Sequence, residues 1–315
     1  MLENVDDVVQ KAPVKKRRGL QASPSKKIFY YSLVFLPLLQ FCIFYIGVNF
    51  QSILLAFQKY ENSEFVFLSD NIFGNFQRVF TEFFRTKTLW TAFANSLILW
   101  FLTAICGTLI AVFFSYFIFK SKTVGRFYRF VLFLPSILPG IMLSIVFKLF
   151  TADVMPMIFG WEKVLESTNP TVRLVAVYSY TLFLGFGTQV LLYSNAMEQI
   201  SPSVLEAGEL DGTTPMVELF QIVVPSIMGT ISTFMIATIA GAFMNQASLY
   251  NFYGENALPS TQTLGYYMFI RVQDGSQLGY GRIEYGYASA LGLICTLIAL
   301  PPTVLFRMFS KRFED

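Results

Sequence analysis

Residues 201–225 read SPSVLEAGELDGTTPMVELFQIVVP, and the polar part, 201–212, lies between two long apolar runs at about 172–197 and 218–246. A bilayer-spanning helix needs about 20 mostly apolar residues, and both flanking runs are long enough. A dozen polar residues between two such runs make a tight connection at a membrane surface, so the runs are neighbouring spans of opposite direction. Within the connection, Ser203 and Glu206 have the spacing of a capping box, in which two side chains satisfy free amides at a helix start. Ser201 before Pro202 at the first helical position is an alternative cap. Asp211-Gly212 reads as a helix stop and turn, and Thr214-Pro215 restarts helix into the next run.

Four more apolar runs, at about 29–57, 91–119, 127–150 and 285–309, complete a set of about six. Lys148 and Glu198 sit at their ends and none carries a charge near its centre. Pro37, Pro135, Pro139, Pro225, Pro301 and Pro302 fall inside runs; membrane helices accept proline where neighbours re-satisfy the freed carbonyls, as packing kinks or as hinges. The expected fold class is therefore an all-α polytopic membrane protein with six transmembrane helices. Composition agrees: the 315 residues are 54% hydrophobic and 14% charged, against about 25% charged for a soluble domain. Lipid is the solvent that such a surface needs.

Orientation follows the basic residues close to the spans. Lys15, Lys16, Arg17, Arg18, Lys26 and Lys27 precede the first run, Lys120, Lys122, Arg126 and Arg129 fall between the second and third, and Arg307, Lys311 and Arg312 follow the sixth. These segments share one side, which puts both termini and the 198–217 connection in the cytoplasm, and Trp161 and Gly275 outside, in a cell-membrane protein. The first apolar run is about twice the length of a signal peptide's and lacks a cleavage site. Residues 1–27 form a basic tail expected to be poorly ordered, 28–310 the six-helix domain, and 311–315 a second cytoplasmic tail. The outer segments at about 58–90 and 247–284 have room for short interfacial helices.

Several function classes are disfavoured. No histidine is present, so histidine catalysis and histidine metal sites are out, and no metal or other cofactor is expected. Gly-Lys never occurs, which rules out a P-loop; ATP would be hydrolysed on another chain. No acidic or basic residue sits inside a run to relay protons, and no paired carboxylates suggest catalysis. A net charge of +3 is too small to argue for nucleic acid. Cys42, Cys106 and Cys295 fall in different apolar runs and read as buried free thiols.

The connection at 201–217 resembles the "EAA" loop of ABC importer permeases, E-A-A-x-x-D-G-A followed by an apolar run and a proline. Glu206, Ala207, Asp211, Gly212 and Pro225 match at that spacing, with Gly208 and Thr213 where the family usually has alanine. The stretch from Phe73 to Phe80, with Trp90 and Asn95-Ser96, is similar to the entry of the second helix in the sugar-importer branch. Thr261-Gln262-Thr263-Leu264, Tyr266-Tyr267 and Tyr285-Gly286-Tyr287-Ala288 resemble a later pattern of the same branch, although its usual Gly-Gly-Pro is replaced near Gly254-Glu255-Asn256-Ala257. The resemblance covers about residues 28–309.

What the resemblance implies is a type I permease subunit that pairs with a second permease, two ABC ATPase subunits and an extracytoplasmic solute-binding protein, importing a sugar, in particular an oligosaccharide. Glu206, Ala207, Gly208, Asp211 and Gly212 would form the helix that couples to the ATPase. Polar residues in spans are costly and face cavities or other helices. Gln189, Tyr193, Asn245 and Gln246 are the candidates for a solute path, with helix packing as the competing reading. A permease for a non-sugar solute, or a carrier or channel working without ATP, are the alternatives; the loop separates the last two from the first.

Overall fold

The computed structural model describes residues 24–61, 64–69, 71–121, 124–273 and 284–311. The tail before residue 24, the last four residues and Gly275 lie outside this set. The chain divides into two units, residues 1–52 and 53–315.

The first unit holds most of helix α1, which runs through Pro24–Gln40, a wider-wound stretch Phe41–Gly47, and Val48–Leu55. Every described side chain from 28 to 52 is exposed. An apolar helix with no buried face is what lipid as solvent allows.

The second unit opens with a two-stranded antiparallel hairpin, β1 (Gln58–Glu61) and β2 (Glu64–Phe67), which periodicity did not foretell. Helix α2 (Gly74–Arg85) follows, then the long span α3 (Lys87–Lys120). Next come α4 (Val124–Ile137), α5 (Gly140–Phe159) and α6 (Pro170–Met197). The connecting helix α7 (Pro202–Leu210) leads to α8 (Pro215–Ser226) and α9 (Met228–Ala240). Short α10 (Leu249–Tyr253) and α11 (Leu264–Gln273) precede the last span, α12 (Tyr285–Ser310). Among the described residues five helices are long and apolar enough to cross a membrane, and the bent pair α8–α9 makes a sixth.

Two runs differ from expectation. The third, expected over 127–150, is interrupted at Leu138-Pro139, and the long apolar helix is 140–159. Proline disfavours helical geometry at the residue before it, and Pro139 itself sits at ψ 129°. Lys148 therefore lies mid-helix in α5 rather than at an end, and its ammonium donates to the Phe252 carbonyl at 3.1 Å. The fifth run breaks at Ile227 with a 69° bend. Pro225 removes one helical hydrogen bond there, and Ser226 Oγ donates back to the Ile222 carbonyl at 2.6 Å, a contact that bends helices. Its helix ends at Ala240, short of the apolar residues Phe243 and Met244.

Helix α6 is the centre of the second unit and packs along α3 and α4. The approach is close: a Cβ at Gly187 would lie 1.9 Å from the Leu132 carbonyl oxygen. Val190, Tyr193, Met197, Leu219 and Val223 form one apolar cluster around the α7 end of the bundle. Leu89, Leu264, Tyr267, Tyr287 and Leu291 form another at the opposite end.

Candidate functional site

The connecting helix starts at the alternative position, but without a side-chain cap. Ser201 stands at the N-cap position with Pro202 in the first turn; Ser203 and Glu206 do not close a capping box, and the Ser201 and Ser203 hydroxyls pair at 2.8 Å. Its end is tightly built. Gly212 N–H donates to the Glu209 carbonyl, and Thr213 N–H donates to the Gly208 carbonyl, both at 3.1 Å. This is the Schellman arrangement, which needs a left-handed residue at Gly212; its φ is +73°. The Thr213 hydroxyl adds a second bond to the Gly208 carbonyl at 2.9 Å.

The small residue Gly208 serves the chain itself. It is buried, and a Cβ there would lie 2.7 Å from Ile222 Cδ1, so α7 rests directly on the start of the fifth span. Lys120, at the end of α3, reaches Glu209 at 3.4 Å and Glu218 at 2.9 Å. Glu218 is 4% exposed and sits in the first turn of α8, where the helix dipole favours a carboxylate. The sequence marked Lys120 only as a basic residue that sets orientation, and did not mark Glu218. The opposite face of α7 is open: Glu206, Ala207 and Asp211 are exposed, Val204 is exposed, and Leu210 is 89% exposed.

The four solute-path candidates are not brought to one surface. Asn245 and Gln246 lie beyond the end of α9, in a loop rather than on a helix. Asn245 Oδ1 accepts from Ala247 N–H at 2.8 Å, and its carbonyl accepts from the Thr263 hydroxyl at 2.9 Å. That turn carries Ala247 and Ser248 at φ +51° and +55°, conformations that cost side-chain-bearing residues about 1 kcal/mol or more each. Asn245 borders a cavity of about 100 Å³ with Trp100, Thr103 and Thr238. Gln189 is half-buried against α3, its Oε1 3.7 Å from where a Cβ of Gly107 would stand. Tyr193 is fully buried and packs edge-on to Phe234, so it faces no open path in this conformation.

The other motifs converge at the far end of the bundle. Asn95 donates to the Ser260 and Gln262 carbonyls at 3.0 and 2.9 Å, and Ser96 accepts from Leu264 N–H at 2.8 Å. The Asn-Ser pair thus holds the Thr-Gln-Thr-Leu stretch that opens α11. Arg271, 2% exposed, pairs with Glu284 at 2.6 Å and Glu82 at 3.2 Å, with its guanidinium over the rings of Tyr267 and Tyr287 at 4.5 and 4.3 Å. Both tyrosines donate to Glu82. Burial, opposed by the charge of Arg271, holds the Tyr267 phenol above its usual range, so it remains a donor.

Comparison with known proteins gives this arrangement a context. Over 303 residues the chain is 24% identical to the arabinooligosaccharides transport system permease protein AraP of Halalkalibacterium halodurans, covering 93% of this chain and 90% of that one. Over 202 residues it is 24% identical to the multiple sugar-binding transport system permease protein MsmF of Streptococcus mutans, covering 62% of this chain and 66% of that protein. Over 261 residues it is 27% identical to the maltose/maltodextrin transport system permease protein MalF of Escherichia coli K12, covering 76% of this chain. The chain spans about half of MalF's length, 49%, and just under two thirds of MsmF's. The same fold occurs in the crystal structure of a bacterial ABC transporter involved in the import of the acidic polysaccharide alginate, with a TM-score of 0.69, 17% identity, and coverage of 92% of this chain and 98% of that one. The profile of the binding-protein-dependent transport system inner membrane component family matches residues 104–315. That match takes in α7 and, of the Arg271 cluster, Arg271, Tyr267, Glu284 and Tyr287, and this multi-pass membrane protein belongs to that family.

Proposed function

We propose that the chain is one membrane-spanning subunit of an ATP-driven importer for a sugar, in particular an oligosaccharide, and performs no bond chemistry itself. The observation that carries this reading is α7: a capped helix, braced from behind by Ile222 and Lys120 and presenting Glu206 and Leu210 outward. Such a helix suits a partner that pushes on it. The partner in this reading is one of two cytoplasmic ABC ATPase subunits; a second permease completes the path and an extracytoplasmic binding protein delivers the solute. The sugar assignment draws on the names of the AraP, MsmF and MalF relatives, and the binding protein on the related alginate transporter solved with a periplasmic protein. Both termini and α7 lie in the cytoplasm in this reading, on the side where the basic residues collect. Asn245 and Gln189 contribute to the solute path.

The test is reconstitution with the partner subunits. Leu210→Ser changes an exposed side chain, so stability should move by no more than about 0.5 kcal/mol, while ATPase retention and solute-stimulated ATP hydrolysis fall together. Gly212→Val forces a β-branched residue to positive φ and should lose the same activities with solute still bound by the binding protein. Full uptake in both variants, with the ATPase still attached, would mean that α7 is only a connector.

A further inference from the structure

Helix α2, at the end of the bundle away from α7, keeps part of its aromatic surface exposed. Its sequence divides the helix lengthwise. Gln77, Arg78, Thr81, Glu82 and Arg85 fall on one half, where Arg78 pairs with Glu284 and Glu82 with Arg271. The other half is apolar. Val79 is buried in the core, with Phe76 and Phe83 packed against that cluster. Phe80 and Phe84, neighbours at i and i+4, stay outside, Phe84 at 82% exposure. Beside them lies a cavity of about 140 Å³, lined only by apolar side chains and the Cys295 thiol. It reaches Ile294 and Ile298, in the middle of the 26-residue span α12.

We propose that α2 lies in the headgroup layer of the bilayer surface opposite α7, and that phospholipid acyl chains cover Phe80, Phe84 and the cavity beside them. Three observations select this occupant. The face is continuous with two spans: Ile298 of α12 is itself exposed, and the exposed Trp90 of α3 packs edge-on to Phe83 at 5.1 Å. The cavity offers no set of polar partners to hold water, and apolar cavities of this kind stay dry. Arg85 and Lys87 follow Phe84 in the chain, exposed and without an ion pair among the described residues, and suit the phosphates of the headgroup layer. A helix with an aromatic half and basic residues on its polar half is built to lie in an interface. Because Glu82 on the same helix pairs with Arg271, lipid that seats α2 also seats one carboxylate of the buried cluster.

The experiment is spin-label accessibility in phosphatidylcholine vesicles. Phe84→Cys or Phe80→Cys is introduced into the full chain with Cys42, Cys106 and Cys295 changed to alanine, and the label is attached before reconstitution, alone and with the subunits that co-purify with the chain. Both positions are exposed, so the variants fold. Oxygen, which concentrates among acyl chains, should relax both labels more strongly than a water-soluble nickel chelate does. Thr81→Cys, on the polar half of the same helix and exposed, should show the reverse order. Stronger relaxation by nickel at Phe84→Cys and Phe80→Cys would put this face in water. Protection from both relaxants once the co-purifying subunits are present would put it under protein. Either result would overturn the proposal.

Discussion

At one end of the bundle a buried arginine has two carboxylates and two aromatic rings around it, and the Asn95 amide reaches two loop carbonyls. At the other end the side chains of Arg126 and Glu206 have no partner among the described residues, and Leu210 is 89% exposed. The difference lies in where the partners come from. At the α2–α11–α12 end the buried Arg271 finds its carboxylates within the chain, as a buried charge requires if it is not to destabilise the fold. The α7 end also pairs Lys120 and Arg129 within the chain, but leaves Arg126, Glu206 and Leu210 facing outward.

The contrast can be broken most forcefully at Arg271. Arg271→Met leaves Glu82 and Glu284 without their buried cation, and losing one member of a buried pair costs about 3–5 kcal/mol. Thermal unfolding of the purified chain should show it; a loss below about 1 kcal/mol would mean that this end is not locked by charge. A pair of glycines sharpens the comparison. At Gly286 a Cβ would stand 2.1 Å from the Gln58 carbonyl oxygen and 2.6 Å from Asn75 Nδ2. Backbone cannot yield as a side-chain tip does, so Gly286→Ala should cost about 2–3 kcal/mol, the upper part of the overpacking range. At Gly208 the obstacle is the rotatable end of Ile222, and Gly208→Ala should cost less than about 1 kcal/mol. Equal costs, measured by unfolding, would erase the distinction between a closed end and an adaptable one.

The smallest effect is one of pH. The Tyr253 hydroxyl donates to the Leu165 carbonyl at 2.9 Å, and burial, partly offset by Arg173, pushes its pKa up to about 12. The unfolded phenol titrates near 10. A raised folded pKa gives stability that is complete below the unfolded value and is lost as pH climbs toward the folded one. Melting temperature should therefore be insensitive to this group at neutral pH and fall between about pH 10 and 12. Tyr253→Phe should remove that part of the decline.

Much of this was legible in the sequence because lipid imposes a strong pattern. Apolar run length marked the spans, and Asp211-Gly212 marked the stop of α7 with its positive φ, since only glycine takes that conformation freely. The less legible features depend on distance along the chain. Asn95 and Gln262 are far apart in sequence, so Asn95 read as part of a helix entry rather than as the clasp of a loop. Lys120 and Glu218 meet only when α3 and α8 are packed. Asn245 and Gln246 read as helical because Phe243 and Met244 prolong the apolar run, yet Gly241 and the turn after Ala240 end the helix before them. Gly208 was legible as small but not for whom: its missing side chain makes room for Ile222 of the same chain.

The bend at Ile227 sets how a displacement of α7 travels. A straight rod carries thrust along its axis to its far end. A rod turned through 69° delivers only a minor share of that thrust along its second arm and converts most of it into torque about the corner. With α7 seated on Ile222 in the first arm, Ile227 acts as the fulcrum of a crank and α9 as its throw. In the proposed reading, a small axial movement at α7 would become a sideways sweep at the loop of Asn245, where a left-handed turn already stores backbone strain.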